Sequence, residues 1–174
     1  MTLARLNNLT AALSTPRHVQ DGASNLDAVI LNPGPMLTYL TGVDFHLMER
    51  PVVLFVVPGH DPVLVLPELE MLKVDMFPYK VQAFAYGENP SEWDAAFRKA
   101  SQALGLTRSG GKRIGVEPRQ LRLLEFRYVK AVAPESEYPD ANEVLAGLRL
   151  KKDKAEVDTM RHAVKIAQIG RAHV

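Results

Sequence analysis

Cysteine is absent from the 174 residues, which removes disulfides, thiolate chemistry and cysteine-bound zinc from consideration. Charge of one sign is equally scarce. The formal net charge is +1 and no block of lysine and arginine reaches five in a row. A nucleic-acid partner is excluded on that ground, because neutralising phosphates takes a concentrated basic face. Long hydrophobic runs are missing too: a membrane span would need about 20 apolar residues in succession. The opening segment, Met1 to Leu13, instead sets Leu3, Leu6, Leu9 and Leu13 at helical spacing with Arg5, Asn7 and Asn8 between them. That is an amphipathic helix and not the unbroken apolar core of a signal peptide. No membrane partner is expected, and the cytoplasm is the default location. No Gly-x-Ser-x-Gly elbow or His-Glu-x-x-His motif occurs, and Gly110-Gly111-Lys112 lacks the spacing of a phosphate loop.

What is present suits one soluble domain with its own core. Hydrophobic residues make up 47% and charged residues 24%, enough apolar material to fold without a disulfide or metal staple. After a polar connection, Ser14 to Gly22, the segment Leu26 to Leu31 is short and almost continuously apolar, as a strand buried on both faces should be. Asn32-Pro33-Gly34-Pro35 breaks it, and a helical turn through Met36, Leu37 and Leu40 closes at Gly42. Val52–Val57 and Val63–Leu66 flank five turn-forming residues and predict a hairpin. One or two helical turns are expected over Pro67–Lys73 and a strand over Lys80–Tyr86. Asn89, Pro90 and Glu92 form a helix start with a capping-box spacing, and Trp93, Ala96, Phe97, Ala100 and Leu104 then share a face that ends at Gly105. Ser109-Gly110-Gly111 leads to a strand Arg113–Val116, a helix over Leu121–Lys130, and a loop or edge strand over Glu135–Asp140. Beyond Asn142 only helix follows: Leu145, Leu148 and Leu150 pack a short segment, and Asp153 with Glu156 caps a longer one carrying Val157, Met160, Val164 and Ala167. This order predicts an α/β fold: a mixed, mostly parallel sheet with one antiparallel hairpin strand and helices on both faces.

Three segments resemble the amino-terminal domain of the creatinase, prolidase and aminopeptidase P family of Xaa-Pro peptidases. They are the strand, Asn-Pro turn and helix ending Tyr39-Leu40-Thr41-Gly42; the strand end Ile114-Gly115-Val116-Glu117; and Leu148-Arg149-Leu150-Lys151-Lys152 followed by an acidic turn and Met160-Arg161-His162-Ala163. The resemblance implies a creatinase/prolidase-like domain over residues 1–140, and connecting helices over 141–168 that begin a catalytic domain. It implies that the chain stops before that domain, whose two Asp, one His and two Glu would hold two divalent metal ions of manganese, cobalt or zinc type. No cofactor is expected in the chain itself. Expected partners are that catalytic domain, a second copy in a homodimer, and a proline-containing peptide substrate. The last six residues, Ile169 to Val174, read as the translation of a common sequencing adapter, so 169–174 are set aside as a non-native tail. Two alternatives stay open: a stand-alone α/β binding or regulatory module, and the same domain from a creatinase-type amidinohydrolase.

The candidate site lies between Gly42 and the hairpin. Asp44 and His46 stand as Asp-x-His, with Glu49-Arg50-Pro51 beyond. Two metal-type ligands cannot fill a site by themselves, so a polar loop over the sheet end is the simpler reading. The resemblance adds that this region reaches a neighbouring subunit's active site, with His46 and Arg50 as the groups offered to substrate. His60 and Asp61 are read as solvated turn residues, Trp93 and Phe97 as core, and His162 as an exposed helix position.

Overall fold

The computed structural model describes residues 2–14, 25–107 and 111–171. The polar connection after Ser14, part of the Ser109–Gly111 link and the final three residues of the tail lie outside them. Helix α1 spans Thr2–Ser14, followed by β1 (Ala28–Leu31), α2 (Pro35–Thr41), β2 (Val53–Val56) and β3 (Val63–Pro67). A 3-10 segment, Glu68–Met76, leads to β4 (Gln82–Tyr86). Another, Pro90–Glu92, opens α3 (Trp93–Ala103). The chain continues through β5 (Ile114–Gly115), α4 (Leu123–Val132), α5 (Asn142–Leu150) and α6 (Lys154–Arg171).

The strands form one sheet in the order β4-β3-β2-β1-β5. β2 pairs antiparallel with both its neighbours, Leu54 standing opposite Leu31 on one side and Leu64 on the other. The pairs β3–β4 and β1–β5 are parallel, so β2 alone runs against the rest, as the hairpin predicts. β1, β2 and β3 are buried at every residue because both faces are covered, which is why they read as continuous apolar runs and not as alternation. One face carries α1, α2 and α5, whose Leu9, Leu37, Leu40 and Leu145 pack on Val29, Leu31, Leu54 and Leu64. The opposite face carries α3 and α4, whose Phe97, Ala100 and Val129 pack on Ile30, Val53, Phe55 and Val65. Among the described residues no helix is long and apolar enough to cross a membrane.

Local chemistry decides where the elements end. Gly42 takes φ 75° and donates its N–H to the Thr38 carbonyl at 2.8 Å, closing α2 in the left-handed conformation glycine adopts without strain. At the start of α6 the capping box is complete: Asp153 Oδ1 accepts from the Glu156 N–H at 2.8 Å and Glu156 Oε2 accepts from the Asp153 N–H at 2.9 Å. The box expected at Asn89 forms only half. Asn89 Oδ1 accepts from the Ser91 N–H at 3.2 Å, but Glu92 bonds the Asn89 side-chain amide and leaves the backbone N–H. The chain enters α3 through a 3-10 turn there.

Two expectations differ in extent. β5 is shorter than Arg113–Val116 because its flanks are taken by the returning chain, Arg113 bridging Glu137 and Val116 bridging Asp140 in parallel. Segment 135–140 thereby covers the sheet edge, with the Ile114 N–H on the Glu137 carbonyl and the Val116 N–H on the Pro139 carbonyl, both at 2.9 Å. Leu150 was expected to pack with Leu145 and Leu148 but is 74% exposed. Five helical residues beyond Leu145 is a turn of roughly 140°, which carries it to the opposite side of α5.

The tightest packing surrounds Gly115, where a Cβ would stand 2.7 Å from Leu26 Cδ1 and 2.9 Å from both Ala141 Cβ and Val29 Cγ2. Ala141 has no flexible end to move aside. Gly115→Ala is therefore expected to destabilise the domain by about 1–3 kcal/mol, read as a lower urea midpoint; an unchanged midpoint would contradict this account of the β1–β5 contact.

Candidate functional site

Four strands share one direction, so their carboxyl ends line one edge of the sheet, and the reversed β2 brings the loop before it to the same edge. That loop, 43–52, is fixed from inside. The buried Thr41 hydroxyl accepts from the Val43 N–H at 3.0 Å and donates to the Leu37 carbonyl at 2.9 Å. Val43 and Phe45 turn inward while Asp44 and His46 turn out. Phe45 packs on Phe77 with ring centroids 6.3 Å apart, and the Lys73 ammonium sits 4.9 Å above its ring while donating to the Asp44 carbonyl at 3.1 Å.

The two candidate residues differ in environment. His46 is solvated, its side chain 80% exposed, with Nδ1 4.0 Å from Asp44 Oδ2. Arg50 is mostly covered, and its Nη2 is paired with Glu88, whose own side chain is 74% exposed. Glu88 lies just past β4, so the contact ties the loop to that strand's end. Beside it the Tyr86 hydroxyl donates to the Pro51 carbonyl at 2.6 Å; burial pushes this phenol's pKa up, with the Arg50 guanidinium opposing. Thus His46 is open to solvent, whereas Arg50 already holds a partner in Glu88.

Sequence reading missed the strongest electrostatic feature of this edge. Arg122 donates through Nε to both Glu125 oxygens, at 3.0 and 3.1 Å, and adds a contact from Nη2. Glu125 is completely buried. The same guanidinium donates to the Met48 carbonyl, clamping the loop onto the start of α4. The signal available was an Arg-x-x-Glu spacing at a helix start, which ordinarily marks a surface pair; Glu88 offered no signal at all. Of the other polar residues singled out, Asp61 pairs with Lys80 at 2.7 Å, and His60 and His162 are exposed. Trp93 and Phe97 are core. Among the described residues no three side chains of metal-ligating type converge. The loop offers hydrogen-bond donors and positive charge from His46 and Arg50 at this end of the sheet.

The order of strands and the helix-covered mixed sheet are those of a known family of domains. The chain belongs to the creatinase/prolidase N-terminal domain family, whose profile matches residues 20–151. Among solved structures, a dipeptidase from Pyrococcus horikoshii is 27% identical, with a TM-score of 0.75 over 94% of this chain and 41% of its own. A prolidase from Thermococcus sibiricus shares the fold at 19% identity and TM-score 0.76, over 96% of this chain and 42% of its own. The N-terminal domain of an X-Pro dipeptidase from Streptococcus pyogenes, 23% identical with TM-score 0.62, is matched over 83% of this chain and 98% of its own. The chain thus spans about two-fifths of the two whole enzymes, 41% and 42%. No curated protein matches it.

Because Glu125 is fully buried, Arg122→Ala would leave a carboxylate without its counter-charge. The expected cost is about 3 kcal/mol, at the lower end for a broken buried pair because the guanidinium is itself partly hydrated. Adding Glu125→Gln should recover part of that loss. Chemical denaturation of the wild type, the single variant and the double variant checks it, and additive effects would contradict a direct pair.

Proposed function

We propose that the chain is the non-catalytic amino-terminal domain of a metal-dependent Xaa-Pro dipeptidase or aminopeptidase, acting in the cytoplasm. The observation that carries this reading is the family match over 20–151, joined to a dipeptidase that shares the fold at 27% identity. The chemistry would be done by a following catalytic domain holding two divalent ions of manganese, cobalt or zinc type, since activating water takes a fixed coordination site. The partners would be that domain, a second copy of the protein, and a proline-containing peptide. Two surfaces support this division of labour. On α6, Met160 and Val164 are 56% and 54% exposed and share a face with Val157 and Ala167, an apolar stripe suited to burial against the following domain. In the candidate loop Leu47 and Met48, and in the 3-10 segment Leu69, Leu72 and Met76, are also exposed, which suits a dimer contact that would bring His46 and Arg50 to the partner's substrate.

In this reading Arg50 presents part of its donor fork to a substrate carboxylate or carbonyl while Glu88 holds the rest. Releasing an exposed ion pair of this kind costs about 0–1 kcal/mol, and a charge-assisted hydrogen bond to substrate returns roughly 1.5–3 kcal/mol. Arg50→Ala in the full-length protein should raise KM for an Xaa-Pro substrate by about tenfold or more, with the thermal midpoint little changed. Unchanged kinetics, or a fall in activity tracking a lower melting point, would leave Arg50 as the anchor of the loop alone.

The isolated chain offers a second check. Hydrogen exchange across Val157–Ala167 should be far faster than across β2, because helices of this length are marginal without packing. Equal protection in the two segments would contradict a role for this stripe in docking a following domain.

A further inference from the structure

β1 and β5 lie side by side and parallel, yet the chain leaves them in opposite directions. After β1 it enters α2 on one face, where Met36, Leu37 and Leu40 are buried. Beyond β5 it enters α4 on the other, where Val129 and Val132 are buried. Such a divergence opens a crevice at the carboxyl ends of the two strands, the place where open α/β sheets most often bind ligands. Here it is a cavity of about 300 Å³ whose lining includes Met36, Glu117, Arg119, Gln120, Asn142 and Arg149. A volume at the lower end of the ligand-pocket range suits a small molecule.

The charges around this cavity are opposite, and among the described residues they form no ion pair. Glu117 is held at the end of β5, its carbonyl accepting from the Gln120 and Leu121 N–H groups at 2.9 Å each. Its Oε2 is buried and has no hydrogen-bond partner among the described residues. Burial raises the Glu117 pKa, with the Arg149 charge acting against it, as expected for a carboxylate short of donors. The Arg149 charge acts on Glu117, yet among the described residues neither Arg149 nor Arg119 forms an ion pair. A carboxylate and a guanidinium lining one cavity without touching leave room for a molecule that carries both complementary charges. The buried Met36 and Leu145 supply apolar lining for a short aliphatic body between them.

We propose that this crevice binds a small zwitterion, a free amino acid or a dipeptide, with its ammonium on Glu117 and its carboxylate on Arg149. The ammonium would pair with the Glu117 carboxylate, and the guanidinium fork matches both oxygens of the ligand's carboxylate. The site is separate from the loop carrying His46 and Arg50, and it is complete within this chain, so it is tested without any catalytic domain.

The test is a backbone-amide NMR titration of the chain with L-alanine and with L-alanyl-L-alanine at millimolar concentrations, beside N-acetyl-L-alanine, L-alaninamide and inorganic phosphate. Saturable shifts over 116–121 and 142–149 with either zwitterion, at least tenfold weaker for the three controls, are expected; which zwitterion binds tells amino acid from dipeptide. Glu117→Gln should weaken the binding tenfold or more, and the exposed Glu143→Gln should not. Should Glu117→Gln fail to fold, Arg149→Gln, a change on an exposed helix position, decides by the same tenfold criterion. Absence of saturable binding by both zwitterions overturns the proposal. Equal binding of N-acetyl-L-alanine or phosphate overturns it as well, since a basic surface alone would account for that, and so does unchanged affinity in Arg149→Gln.

Discussion

Everything in this domain depends on three strands that cannot face water on either side. β1, β2 and β3 are apolar at nearly every position and buried at all of them, so helices must cover the sheet above and below. That requirement places α1, α2 and α5 on one face and α3 with α4 on the other. It also forces the connections to run over the sheet's ends, where backbone polar groups reach water or one another. The surface available for recognition is therefore an edge, and the reversal of β2 concentrates the carboxyl ends of four strands and the 43–52 loop on the same one.

The polar groups on that edge divide by their degree of commitment. Arg122 is consumed by Glu125 and by the Met48 carbonyl, so it fixes the loop's path and has little left to offer a ligand. Arg50 is half-committed through Glu88. His46 is solvated. Glu117 and Arg149 face a cavity with no ion pair of their own among the described residues. Burial and pairing thus sort one set of similar side chains into fasteners and groups left uncommitted, a distinction residue type does not make.

The sequence made the centre of the sheet legible because burial on both faces writes itself as unbroken apolar runs, and Gly42 and the Asp153–Glu156 pair announce their helix ends by chemistry that needs only neighbouring residues. Features that depend on distant chain were not legible. Arg50 and Glu88 are 38 residues apart, and nothing local brings them together. β5 is cut short by a returning segment whose Pro139 carbonyl, not another strand, receives the Val116 N–H. In the 3-10 segment Leu69, Leu72 and Met76 are exposed, and an apolar residue left in water obeys no periodicity that could have been read. The Arg122–Glu125 pair was overlooked because its spacing is that of an ordinary surface pair while its burial comes from tertiary packing.

The anchorage of α6 has a mechanical consequence. Its first turn is fastened to the body where Glu156 meets Arg5 at 2.8 Å, and the Arg5 guanidinium lies 4.0 Å above the Tyr39 ring while donating to the Tyr39 carbonyl at 2.8 Å. From that fulcrum the helix continues for 15 residues beyond Glu156, about 22 Å at the normal helical rise. A tilt of about 10° at the fulcrum would sweep the far end through roughly 4 Å, given that same length. Small adjustments in how Arg5 sits between Tyr39 and Glu156 are thereby geared up into large displacements of whatever α6 carries, making one half-buried ion pair the point about which a much larger body would turn.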